Sequence, residues 1–276
     1  MLMSRVGSGW LRSAVNLKAF CAGKVYGAQQ HLFDLLLGVS TTGIAATGGD
    51  GMFYSGGDNC FYEGCEGFSL RRALKDLNPT ASDVFVDLGS GKGRALVIAG
   101  RLPYKHVLGV EIDKELSALA QRNLDGARLR LRAGRAECLT GSVLDWPIPE
   151  DASVIFMFNP FIGQTFSAVI QRILDSYDRN PRVLHIVYEH PWEHDQLLST
   201  GRVVVSNVRS RPWLALGRWW ESGNVIVTYR VVDSAASSQY RVLRPSRAVQ
   251  HWSVPNGHNF SMPVPGTGKT YTKLSS

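Results

Sequence analysis

The stretch "VFVDLGSGKGRALVIAG", Val84 to Gly100, decides the fold. Its first five residues are apolar apart from Asp87 and suit a strand buried on both faces. "RALVIAG" then offers a helix, and Gly89, Gly91 and Gly93 alternate with Ser90 and Lys92 in between. A strand, a glycine loop and a helix start an α/β unit in which the loop backbone lies against a ligand at the helix N-terminus. The glycine spacing has to say which ligand.

A phosphate-binding Walker loop needs G-x-x-x-x-G-K-[ST]. Around Gly91-Lys92 the first glycine position holds Val86 and the hydroxyl position holds Gly93. "VPGTGKT" near the end has Pro263 in place of that glycine, no strand before it and six residues after Thr270. A dinucleotide fingerprint is G-x-G-x-x-G, whereas this loop reads Gly89-x-Gly91-x-Gly93 after an acid. Asp87 at the strand end would repel a pyrophosphate and suit a ligand carrying an ammonium and a sulfonium, as S-adenosylmethionine does. Glu111 closes the next strand, "VLGVEI", 18 residues beyond Gly93, where a carboxylate can accept both hydroxyls of a ribose. A dinucleotide enzyme also places an acid there, so that reading stays as a third possibility.

Working outward, strands and helices alternate. "HVLGVEI", "KELSALAQRNL", "SVIFMFNP", "FSAVIQRILDSY" and "RVLHIVYE" continue the pattern of a parallel sheet with crossover helices. "RVVVSNV" and "NVIVTYRVV" lie on either side of a turn-rich segment and predict an antiparallel pair at the sheet edge. The expected fold is α/β, a doubly wound, mostly parallel seven-strand sheet with an antiparallel edge hairpin. Upstream, helical spacing runs from about Trp10 to Leu37, a Gly/Ser/Thr-rich stretch follows, and "FSLRRALKDL" forms a helix stopped by Asn78-Pro79. Three parts are expected: an N-terminal extension over 1–80 acting as a substrate lid, a ligand-binding domain over 81–233, and an extended or disordered tail over 234–276 rich in Ser, Pro, Gly and Thr.

The chain has 276 residues, 44% of them hydrophobic, enough for one sizeable core. Its 30 Lys and Arg against 23 Asp and Glu give +7, a mild bias toward acidic partners. Cys21, Cys60, Cys65 and Cys138 show neither C-x-x-C nor zinc spacing, which predicts free thiols in a reducing, cytoplasmic setting. Lys18 interrupts the apolar N-terminal patch before it reaches the length of a secretory core, and no run of about 18 apolar residues predicts a membrane span.

"VDLGSGKG" resembles the first motif of the class I, seven-strand S-adenosylmethionine-dependent methyltransferases, and "GVEID" resembles their second-strand acid. The resemblance covers roughly Phe61 to Val232. It is closest to bacterial members carrying "FNPF" after the fourth strand, and more remotely the chain is similar to the seven-strand lysine methyltransferases. It implies that Asp87 faces the methionine part of the donor and that Gly89 and Gly91 let the donor approach the backbone. It also implies that Glu111 holds the ribose, and it adds Ser90, Gly93, Ile112, Ser142, Val143 and Asn159 to the donor contacts. Where the family often has Gly-Asp-Ala after its third strand, Ser142 replaces the Asp, and Asp145 could compensate. Tyr62 and Glu63 match a donor-covering segment, with Gly64 where a proline is common.

On the acceptor side, "FMFNPF" resembles the Asn-Pro-Pro-aromatic motif of methyltransferases acting on nitrogen. That likeness implies that Asn159 and the Pro160 side of the loop orient the target nitrogen while Phe161 stacks on it. The alternative is that Asn159-Pro160 merely closes a strand and Phe161 fills core. "HPWEH" contains H-x-x-E-H, His190 to His194, without a third ligand, so no metal is expected; Glu189 or His190 could touch the acceptor. The arginines around Trp213, Trp219 and Trp220 support a rival reading, a non-catalytic module binding RNA or a protein.

Overall fold

The structure is a computed structural model, and it describes residues 27–43, 64–210 and 225–233 together with the backbone of three later strands. Seven strands form the main sheet: β1 (Val84–Leu88), β2 (His106–Glu111), β3 (Arg135–Thr140), β4 (Ala152–Met157), β5 (His185–Glu189), β6 (Val203–Ser210) and β7 (Val225–Val231). Their order is β3-β2-β1-β4-β5-β7-β6. β1 to β5 run parallel, β7 is antiparallel to β5, and β6 is antiparallel to β7. The expected doubly wound α/β sheet with an antiparallel edge is present.

Every residue of β1 is buried, because helices cover both faces of a parallel sheet. One face packs Val84, Val86 and Leu88 against α5 (Gly163–Arg179) through Phe166, Val169, Ile170 and Ile173. The other packs Phe85, Val107 and Phe156 against α2 (Gly67–Asp76), α3 (Arg94–Gly100) and α4 (Lys114–Ala127). Period-two alternation therefore sends Asp87 to the same face as Phe85. A sixth helix, α6 (His194–Ser199), lies beside β6.

Local chemistry sets the ends of these elements. Glu66 caps α2 by accepting from the amides of Phe68 and Ser69, at 3.1 and 2.8 Å, and the helix ends ahead of Asn78, whose φ is 50°. Asp113 caps α4 through the amides of Glu115 and Leu116. Residues 27–37 form a helix, α1, inside the region where helical spacing is predicted.

Beyond residue 233, β8 (Arg241–Pro245), β9 (Gln250–Ser253) and β10 (Asn259–Met262) pair antiparallel as a separate three-stranded sheet. Composition alone predicts an extended or disordered chain there. Strand pairing of this kind depends on partners brought together by turns, which a Ser/Gly/Pro-rich sequence does not advertise.

Candidate active site

The chain leaves β1 for β2 and β3 on one side and later crosses to β4 on the other, so the strand order reverses between β1 and β4. A crevice opens at such a reversal, outside the carboxyl ends of the strands. Two loops face each other across it, the glycine loop after β1 and "FNPF" after β4.

The glycine loop is tied to the neighbouring strand. Gly89 N and Ser90 N both donate to Val110 O, at 2.9 and 3.1 Å, and Gly91 N donates to Glu111 Oε2 at 2.7 Å. Gly89 and Gly93 have φ of +78° and +80°, a region costly for side chains bearing a Cβ. A Cβ on Gly89 would lie 2.3 Å from Pro160 Cβ, and one on Gly93 would lie 2.9 Å from Ala120 Cβ. The Gly89 contact joins the two loops: Pro160 rests directly on the glycine loop, and only hydrogen fits between them.

Two carboxylates flank this loop. Glu111 is 5% exposed and spends one lone pair per oxygen on backbone amides, Gly91 N and Asp113 N. One lone pair on each oxygen is left for a vicinal diol. Burial raises its pKa against the lowering effect of those amides. Asp87 is 2% exposed, and among the described residues its carboxylate accepts no hydrogen bond. Burial, and then the charge of Glu111, push its pKa well above the ordinary carboxylate value. Two buried acids with little compensation make a crevice that favours a cation.

The other predicted donor contacts sort by geometry. Ile112, directly after Glu111, is 57% exposed and offers an apolar platform at the β2 tip. The Ser90 hydroxyl instead lies 3.2 Å from Cys138 Sγ under the loop, so only the Ser90 backbone borders the crevice. Ser142 is locked in a turn: its hydroxyl accepts from Leu144 N, and its carbonyl accepts from the amides of Asp145 and Trp146. Val143 packs half-buried on the core, and Asp145 is exposed.

On the acceptor side the geometry favours the second of the two readings, a loop that closes a strand. Asn159 adopts a left-handed φ of 43° and is buried, but its Oδ1 accepts from Tyr188 Oη at 2.9 Å and from Trp192 N at 3.3 Å. Both lone pairs of that oxygen are committed, so the side chain holds the loop shape and is not free to receive a target proton. Phe161 is 2% exposed and packs on Phe166 at 6.4 Å between ring centroids, so it is core and stacks on no ligand. Phe158, half-buried and edge-on to His190, is the aromatic nearer the loop.

The H-x-x-E-H residues serve packing. Glu193 Oε1 accepts from Gly163 N at 2.8 Å at the start of α5. His194 is buried with Nδ1 2.5 Å from Tyr229 Oη, and burial lowers its pKa to about 3. Among the described residues no cluster of His, Cys, Asp or Glu could hold a metal ion. Glu189, 1% exposed, accepts from Glu66 N at 2.9 Å and so pins the start of α2 to the β5 tip.

Sequence patterns missed one neighbour of the site, residues 38–43. Lys92 Nζ donates to Thr42 O at 2.9 Å, and Asn123 bridges Ser40 and Lys92 O. Arg94, 2% exposed, bonds Asp34 at 3.0 Å and Thr41 Oγ1 at 2.8 Å. An arginine opening a helix after a glycine loop was the available signal. Tyr62, Glu63, Trp213, Trp219 and Trp220 lie outside the described residues.

Comparison with known proteins gives one family match: residues 54–133 match the family described as "Histone methylation protein DOT1". No curated protein matches the chain. Similar solved structures include an RNA methyltransferase from Salinibacter ruber in complex with S-adenosyl-L-homocysteine, 19% identical over 59% of this chain and 90% of that one, TM-score 0.40. A geranyl diphosphate C-methyltransferase from Streptomyces coelicolor is 16% identical over 59% of this chain and 78% of that one, TM-score 0.42. An S-adenosylmethionine-dependent methyltransferase from Aquifex aeolicus is 15% identical over 60% of this chain and 90% of that one, TM-score 0.44.

Proposed function

We propose that the protein is an S-adenosylmethionine-dependent methyltransferase. The observation that carries this reading is Asp87, a buried carboxylate with no hydrogen-bond donor among the described residues, set in a crevice it shares with Glu111. The residues fit the donor's groups. Asp87 would answer the ammonium, the Gly89–Gly93 backbone would admit the methionine chain, Glu111 would take the ribose diol, and exposed Ile112 would lie under the adenine. The family match spans the glycine loop and Glu111 and supports the same reading.

When bound, the donor supplies an electrophilic methyl on a positively charged sulfur. The chain contributes position. Pro160 against Gly89 sets the distance between the donor loop and the acceptor loop, and Tyr188 and Trp192 fix Asn159 so that the loop keeps that distance. In-line transfer needs alignment more than acid catalysis, because a thioether leaves without protonation. The reading takes as acceptor a nitrogen of a protein, nucleic acid or small molecule, and the histone-methylation family match favours a protein among these. A reducing, cytoplasmic location suits the free thiols of Cys65 and Cys138. No described helix is long and apolar enough to cross a membrane.

Calorimetric titration of the purified protein with S-adenosylmethionine tests the reading. Binding by the wild type, lost in Asp87→Ala and Glu111→Ala variants that still unfold cooperatively, is the expected result. A folded wild type that binds no donor would overturn it in favour of a non-catalytic module for RNA or a protein.

A further inference from the structure

One helix face of the protein is inverted. In α1 the exposed positions are 28, 31, 32, 35 and 36, a helical stripe, and it holds Ala28, His31, Leu32, Leu35 and Leu36. The leucines are 53%, 79% and 61% exposed. The opposite face, with Gln30, Phe33 and Leu37, is the one turned inward. Among the described residues, then, the outer face of this helix is mainly apolar, broken only by His31, where a surface helix ordinarily shows charge.

Beside the end of this stripe lies a second apolar projection in a basic setting. A short turn of helix over 128–130 follows α4 and abuts the end of α1, where Arg130 Nη1 donates to Leu37 O at 3.2 Å. Leu129 in that turn is 99% exposed. Around it stand Arg128 and Arg132, both exposed, while Arg132 N bonds Gly100 O and so brings Arg101 to the same edge. Burial first, and then the positive charges of Arg71 and Arg130, hold the Arg101 guanidinium below its ordinary pKa. Among the described residues no carboxylate lies within ion-pair distance of Arg71, Arg101, Arg128, Arg130 or Arg132.

We propose that the α1 leucine stripe, with Leu129 and the adjoining arginines, docks this protein peripherally on an anionic phospholipid surface. A side chain 99% exposed stands clear of the protein and can be buried only in something that closes around it, as a bilayer interface does. Arginines uncompensated by acids match the phosphates of that surface, and their contribution adds to leucine insertion. A second copy of the chain would bring the arginine clusters together and repel. A nucleic acid would use the arginines but gain little from four leucines, since single-strand platforms stack bases on aromatic rings.

The test is flotation of the full chain with vesicles of phosphatidylcholine alone and of equal parts phosphatidylcholine and phosphatidylserine. Capture by the anionic vesicles, little by the neutral ones, is the expected result. It should fall at least about fivefold in Leu35→Ser/Leu36→Ser and again in Arg128→Gln/Arg132→Gln, two surface variants. Each should match the wild type in thermal unfolding, so that a drop is not misfolding. Failure to float on the anionic vesicles overturns the proposal. So does capture of either variant at the wild-type level, or a salt-sensitive affinity for RNA that replaces vesicle binding and ignores the leucine change.

Discussion

Asp87 is destabilising where it stands. Its carboxyl is pushed well above the ordinary value of 3.8 by burial and by Glu111, so the unliganded fold favours the protonated form. A raised carboxyl adds stability that is complete below its unfolded pKa and lost as pH rises through the folded value. Without a cation beside it, the Asp87 charge is therefore unfavourable in the crevice. A cationic ligand reverses the preference, lowers the pKa on binding and releases a proton. Affinity for S-adenosylmethionine should rise with pH through the window between the bound and free values and flatten above it. Asp87→Asn should remove that slope, weaken binding by roughly tenfold to a hundredfold, and stabilise the unliganded protein by about 1 kcal/mol. Calorimetry across pH and urea unfolding read both effects, and a variant that loses stability along with affinity would mean that Asp87 is structural.

At the scale of elements, the tips of β4 and β5 are one unit. Tyr188 near the end of β5 reaches Asn159 just past β4, and the left-handed Asn159 lets Pro160 turn back onto Gly89. Removing only the hydroxyl, in Tyr188→Phe, should cost about 1 kcal/mol in unfolding and leave donor affinity within about twofold, because the donor contacts lie across the crevice. A large loss of donor affinity would instead put Tyr188 in the donor site. Asp87, the glycines and Glu111 were legible from sequence because strand, loop and acid are local in the chain. The partner of Asn159 was not, since Tyr188 is 29 residues away and reaches it only after two parallel strands pair. The place of Phe161 stayed open between stacking and core for a related reason: past a strand end and a proline, alternation no longer says which way a ring points.

For the whole molecule, the segment before the main sheet is held by an ion pair built on a buried arginine. Arg94 opens α3 and is 2% exposed; its guanidinium bonds Asp34 and the hydroxyls of Thr41 and Thr42, and it lies 4.6 Å from the Phe33 ring centre. Burial alone would raise the Asp34 pKa, but hydroxyl and amide bonds from Thr41 and Thr42 outweigh it and keep the carboxyl below 3.8. A lowered carboxyl contributes stability that is present above its unfolded pKa and lost as pH falls through the folded value, so this anchor weakens only in acid. Thr42 also meets Lys92, and Asn123 joins Ser40 to Lys92, so the anchored segment is tied to the glycine loop by hydrogen bonds. Arg94→Gln should therefore cost about 3 kcal/mol or more by removing the buried guanidinium that joins Asp34, Thr41 and Thr42, and Asp34→Asn less, since its amide oxygen can still accept from Thr41 and Thr42. Combined, the two changes should be non-additive by about 1–3 kcal/mol. Amide exchange should quicken across 27–43 in either variant while β1 and β4 stay protected, and saturating donor should slow exchange there in the wild type. Uniform acceleration through the sheet would show that the pair supports the whole core and has no particular hold on the segment beside the site.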